Sequence, residues 1–238
     1  MRNKNIYIIL YTVILCIVSA VILGSVKQVL SQKQEDNIAL DNKRKILQTI
    51  MTVDESTDIN AIYAERVNEF VIDSKGQKLD GVKLKDVRVA KERKLPIAER
   101  KLPLYVIKSK TDTNKVEYYV FPTSGSGLWD AISSYIAIKN DGKTIQGVAF
   151  DHVGETPGLG ARIKSDPQIA PRYADKELYG NDFEPTAVYM VKGEGYSFPN
   201  DPHKVDGMSG ATLTANGVNA MLKEYAEAYQ NFFKSLNK

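Results

Sequence analysis

From Ile6 to Val26 the chain runs 21 residues without a charged side chain. As an α-helix, such a run spans a hydrocarbon core of about 30 Å, where every backbone polar group must be paired inside the helix. Arg2 and Lys4 precede it, and Lys27 and Lys33 follow. A short, positively charged leader places residues 1–5 in the cytoplasm and the remainder of the chain outside. A cleaved signal peptide carries an apolar region of about 7–15 residues ahead of a small-residue cleavage site. Here the run is longer, and neither Ser19-Ala20 nor Gly24-Ser25 makes a convincing site. The expectation is one uncleaved transmembrane anchor over residues 6–26, seated in a lipid bilayer.

Composition removes several function classes for the rest of the chain. The net charge is +3 and no Lys/Arg run alternates with aromatics, so nothing points to nucleic acid. One cysteine (Cys16, inside the anchor) and two histidines leave no ligand set for a metal. Redox chemistry would need an organic cofactor.

Residues 27–58 are expected to form a charged stalk or linker helix, and residues 59–238 one α+β domain with an antiparallel sheet packed against helices. Asp58 has the character of an N-cap for a short helix through Phe70. Residues 72–101 show no clear period and are expected to be loop with one strand at most. Leu104–Ile107 and Val116–Phe121 have strand character, as do Ser134–Ile138 and Thr144–Phe150, the last two joined by the hairpin signal Asn140-Asp141-Gly142. Another strand is expected over Ala187–Val191, with short helices in Ala161–Leu178. The Gly/Ser stretch after Phe121 is expected to be a loop.

The best-formed element comes last. Val218, Met221, Leu222, Tyr225, Tyr229, Phe232, Phe233 and Leu236 recur at steps of three and four, giving one apolar face. Just ahead of it lies Asp206-Gly207-Met208-Ser209-Gly210-Ala211-Thr212-Leu213-Thr214. A helix start of this kind presents unpaired N–H groups and the positive end of the dipole, an environment suited to phosphate.

Two other glycine-rich stretches accompany it: Ser124-Gly125-Ser126-Gly127-Leu128-Trp129 and His152-Val153-Gly154-Glu155-Thr156-Pro157-Gly158-Leu159-Gly160. Each alone could be an ordinary turn. None has the spacing of a Walker A loop or a Rossmann fingerprint. Gly207-Met208-Ser209-Gly210-Ala211 is close to a nucleophile elbow, with His152 or His203 as base, but the Pro-rich segment before it lacks the required strand. Trp129 is either a core or interface aromatic or a ring beside a flat cofactor. Glu155 is either a solvated acid or a partner for cofactor polar atoms.

Taken in order, the three stretches resemble the covalent FMN-binding domain family. With a single anchor and this length, the chain is similar to the C subunits of Na+-translocating NADH:quinone reductases. The G subunit of the related Rnf-type ferredoxin:NAD+ reductase complex, which carries the same domain, and a non-redox anchored binding module are the alternatives. The resemblance implies FMN joined through its phosphate to Thr212, the threonine of Ser-Gly-Ala-Thr, with Thr214 a second candidate. It implies cofactor contacts from Ser209, Gly210, Ala211, Glu155, Thr156, Gly158, Leu159 and Trp129, and recognition of Asp206 by a separate flavin transferase. No catalytic residue beyond the flavin and no metal are implied. The implied partners are the other subunits of a membrane redox complex that couples NADH oxidation by quinone to Na+ export. Within that complex the flavin would relay electrons between an iron–sulfur centre and a second FMN. The implied site is the bacterial inner membrane, with the FMN domain on the periplasmic side.

Overall fold

Helix α1 runs unbroken from Arg2 to Gln48 in the computed structural model, which describes residues 2–112 and 114–236. The chain divides into two compact units between Lys43 and Arg44. In the first, the large apolar side chains from Ile6 to Leu30 are exposed, and the helix is long and apolar enough to cross a membrane. Thr12 returns its hydroxyl to the Ile8 carbonyl at 2.9 Å, which satisfies a polar group that lipid could not.

The second unit opens with the last turn of α1, where Ile46 and Leu47 are buried. It therefore begins ahead of residue 59, the start expected from the sequence. Asp58 caps α2 (Ile59–Arg66), accepting from the Ala61 amide at 3.0 Å. That helix ends at Arg66, short of the expected Phe70, and Val67–Ile72 forms strand β1. Its Val, Phe and Ile side chains suit a pleated surface. The reason for the early stop is tertiary: β2 (Leu102–Lys108) offers an edge, and β1 pairs along it from Val67↔Ile107 to Ile72↔Leu102. Between β1 and β2 the chain forms short 3-10 turns and the one-turn helix α3 (Val89–Glu92), with an isolated bridge from Ile72 to Lys78 in place of a further strand.

Strands β3 (Val116–Ser126), β4 (Ala131–Lys139) and β5 (Ile145–His152) complete a five-stranded antiparallel meander in sequential order. The expected Asn-Asp-Gly turn joins β4 to β5. Gly142 sits at φ 73°, and the Asp141 carboxylate accepts from the Lys143 and Thr144 amides at 2.8 and 2.9 Å. Ser124-Gly125-Ser126 is strand, not loop, and pairs with Ser133, Ile132 and Ala131. Gly147 on β5 lies against the Thr49 carbonyl, where a Cβ has no room, and so lets the segment after α1 rest on the sheet.

Beyond the sheet come α4 (Arg162–Ser165) and a 3-10 turn at Ala170–Tyr173, in the region where short helices are expected. The strand expected over Ala187–Val191 shrinks to β6 (Tyr189–Met190), which pairs in parallel with β7 (Lys204–Val205). A side chain replaces further strand pairing: Asn219 binds both the N–H and C=O of Met190, at 2.7 and 2.9 Å.

Helix α5 (Thr212–Ser235) supplies Asn219 and lies across β3. Its Val218, Met221, Leu222, Tyr225, Tyr229 and Phe233 are buried, whereas Leu236 falls past the helix end and is exposed. Tyr229 stacks on Phe121 with centroids 4.3 Å apart and donates its hydroxyl to the Pro103 carbonyl at 2.5 Å. Helix and strand approach unusually closely at two glycines. A Cβ on Gly125 would lie 2.8 Å from that of Met221, and one on Gly217 would strike the Ser126 carbonyl. The start of α5 is thereby fixed against the loop that follows β3.

Gly147→Ala is expected to push the Ile46–Thr49 segment off β5 and to lower stability by about 1–3 kcal/mol, the usual range for overpacking. Chemical denaturation checks this against Gly24→Ala, which meets no neighbour within 4 Å and should leave the domain's transition unchanged.

Candidate cofactor site

The first turn of α5 is open. Gly210 takes φ 75°, turning the chain into the helix, and Ala211 stands at the N-cap with no side-chain acceptor. The leading N–H groups and the positive end of the dipole are left for water or an anion. Thr212 and Thr214 are two positions apart, so they face different sides of the helix. Thr212 is half-buried, and among the described residues its hydroxyl has no partner. Thr214 is 1% exposed and donates its hydroxyl to Glu155 Oε2 at 2.5 Å.

Glu155 ties the three glycine-rich stretches together. It is 4% exposed, and besides Thr214 it accepts from the Trp129 amide at 2.9 Å and, at 3.5 Å, from that of Asp130. Its carboxylate occupies the space that a Cβ on Gly127 or on Gly160 would need. Burial pushes its pKa up, but the Thr214 hydroxyl and the amides of Trp129, Asp130 and Leu128 outweigh that and hold it below the usual carboxylate range. Both oxygens are used within the protein.

A second network shapes the turn before α5. The Asp206 carboxylate accepts from the amides of Gly195, Tyr196 and Gly207 at 3.0, 3.1 and 2.9 Å. Arg172 donates to the Gly207 carbonyl at 2.6 Å and to that of Asp206 at 3.2 Å. Glu194 accepts a two-pronged contact from Arg162 at 2.6 and 2.9 Å, a longer one from Arg172, and the Ser209 amide at 3.2 Å. The Arg162 guanidinium, the Ser209 amide and Arg172 pull the Glu194 pKa down to about 2.

The FMN-binding domain family matches residues 127–227. The C subunit of the Na(+)-translocating NADH-quinone reductase of Yersinia pestis is 31% identical over 229 residues, 88% of this chain and 84% of that one. Its Vibrio anguillarum counterpart is 32% identical over 238 residues, 91% and 89% of the two chains. This chain belongs to that C-subunit family. The crystal structure of the C subunit from Parabacteroides distasonis ATCC 8503 superposes with a TM-score of 0.74 at 31% identity, covering 86% of this chain and 96% of that one. Shewanella oneidensis NqrC does so with 0.69 at 26%, covering 83% and 96%.

In this member of the C-subunit family the residues expected from the sequence fall into two sets. Thr212, Ser209, Gly210, Ala211, Glu155 and Trp129 converge on the start of α5, with Leu159 packed over Gly210 at 2.8 Å from the position of a Cβ there. Thr156 and Gly158 form the exposed turn that leads into Leu159, with the Leu159 amide donating to the Thr156 carbonyl at 3.1 Å. Trp129 is 70% exposed and lies outside the core. Beside it a groove of about 720 Å³, within the usual size range of ligand pockets, opens where β3 has run past β2 and keeps β4 alone as neighbour. Arg93 forms part of its wall, held by Glu224 and Ser126.

The elbow reading of Ser209 finds no base. His152 accepts the Glu155 amide at 3.3 Å and His203 pairs with the Glu177 carbonyl at 2.8 Å. Sequence reasoning overlooked Arg162, Arg172 and Glu194. The one local signal for them is Gly193-Glu194-Gly195, an acid carried between two glycines at φ 91° and 97°. Nothing periodic links that acid to an arginine 32 positions earlier.

Because the Glu194 carboxyl titrates lower in the folded protein than its ordinary value of 4.5, its contribution to stability is complete above that value and is lost as pH falls toward about 2. The stability gap between the wild type and Glu194→Gln should therefore be full at pH 6 and close through that acidic window, as measured by denaturant unfolding at a series of pH values.

Proposed function

We propose that this chain carries FMN esterified through its phosphate to Thr212 and serves as the electron-relay subunit of a membrane complex that oxidises NADH with quinone and exports Na+. The observation that carries the placement is the contrast between the two threonines. Among the described residues the Thr212 hydroxyl, at a helix start with no side-chain cap, has no partner, whereas Thr214 is buried and bonded to Glu155. A phosphodiester at Thr212 retains one negative charge. The first-turn amides and the helix dipole stabilise such a charge by about 0.3–1 kcal/mol, more where it is partly buried.

The flavin supplies the redox chemistry, and the protein holds and orients it. Gly210 leaves room beside the attachment point for Leu159, and Trp129 offers an exposed ring at the edge of the adjoining groove. Asp206 acts in maturation, when a flavin transferase must reach Thr212. Its bonds to three loop amides support a role through the shape of the turn that presents the threonine. Residues 6–26 of α1 anchor the protein in the inner membrane with residues 1–5 cytoplasmic, which leaves the FMN domain on the periplasmic side. Membership of the C-subunit family favours this complex over the ferredoxin-linked one.

Thr212→Ala is expected to abolish covalent flavin with the fold intact, while Thr214→Ala keeps the flavin and loses stability by about 1–3 kcal/mol through the orphaned Glu155 oxygen. Denaturing gels under ultraviolet light and the intact mass, looking for one FMN less one water, decide it. A fluorescent band that survives Thr212→Ala and disappears in Thr214→Ala would reverse the assignment.

A further inference from the structure

Among the described residues, no lysine, arginine or histidine side chain forms an ion pair with the buried Glu155 carboxylate; its side-chain bonds are to one hydroxyl and backbone amides. Burying a charge without a counter-charge is costly. The geometry does not demand it. A glutamine in the same place could accept from Trp129 and Asp130 with its carbonyl oxygen and donate to the Thr214 hydroxyl with its amide. The tie between the loops and the charge at the tie are therefore separable properties of one side chain.

The charge lies one side chain from the helix turn that bears Thr212 and one hydrogen bond from the backbone of Trp129. We infer that Glu155 is a positioning residue that fixes the Trp129 loop to the flavin-bearing turn, and that its unpaired negative charge lowers the reduction potential of the flavin held there. The inference rests on FMN at Thr212. Reduction adds an electron to the flavin, and a fixed negative charge nearby disfavours the reduced form, the more so because the carboxylate itself is buried and little screened. The amides and hydroxyl that surround the carboxylate keep it ionised but do not cancel its charge.

Two variants separate the two properties. Glu155→Gln keeps the tie and removes the charge, while Glu155→Ala removes both. The full chain, produced with the flavin transferase, is first checked by mass for FMN on the Thr212 peptide. In Glu155→Gln the FMN is expected at wild-type stoichiometry, with the one-electron reduction equilibrium shifted about tenfold toward the reduced form, about 59 mV more positive. Trp129 is the single tryptophan of the chain, so its emission in flavin-free protein reports the loop directly. That emission should match wild type in Glu155→Gln and shift in Glu155→Ala.

An unchanged potential in a fully loaded Glu155→Gln overturns the electrostatic role. Unchanged Trp129 emission in a folded Glu155→Ala overturns the positioning role. If Glu155→Ala does not fold, restoration of wild-type emission and folding by Glu155→Gln supports the tie, and failure of Glu155→Gln to restore them overturns it. Wild-type FMN found away from Thr212 would instead remove the reading beneath both.

Discussion

One buried carboxylate holds the site together. Glu155 reaches the Thr214 hydroxyl on α5 and the Trp129 amide after β3, and it fills the space that Gly127 and Gly160 leave open. Remove it and three loops lose their common partner. The buried Thr214 hydroxyl would then lose its acceptor, as would the part-buried amides of Trp129 and Asp130. Buried polar groups in folded proteins are found paired because leaving them unpaired is costly.

The frame around that point is set by the close approach of α5 to β3. Gly125 admits Met221, and Gly217 admits the Ser126 carbonyl. Farther along, Phe121, Tyr229 and Phe233 pack as an aromatic cluster, and Tyr229 ties the helix to Pro103. Interiors packed to this density do not deform smoothly. The start of α5 and the loop after β3 therefore keep one relative position, as a cofactor tethered at the helix start and passing electrons onward would need.

The two acids near the site are built differently. Glu194 sits among Arg162, Arg172 and the Ser209 amide, a paired arrangement at partly exposed positions that holds a turn in place. Glu155 is deeper and surrounded by neutral donors. The first arrangement adds rigidity at little electrostatic consequence, because its charges offset one another and solvent screens them. In the second, a net charge stands in the wall of the site.

The order of residues alone carries what local periodicity and composition can express. It showed the uncharged span of residues 6–26, the apolar face of α5, the hairpin at Asn140–Gly142 and a hydroxyl- and glycine-rich helix start. Its order of glycine loops was enough to place the chain in its family. Tertiary structure decided which partners those segments chose. It stopped α2 at Arg66 because β2 offered an edge, and drew Ser124–Ser126 into β3, paired with β4, where Gly125 leaves the room that Met221 of α5 takes. It also made Thr212 and Thr214 unlike each other. That difference depends on a carboxylate 59 residues earlier in the chain, and no pattern of neighbours encodes a contact that exists only once the loops have closed around it.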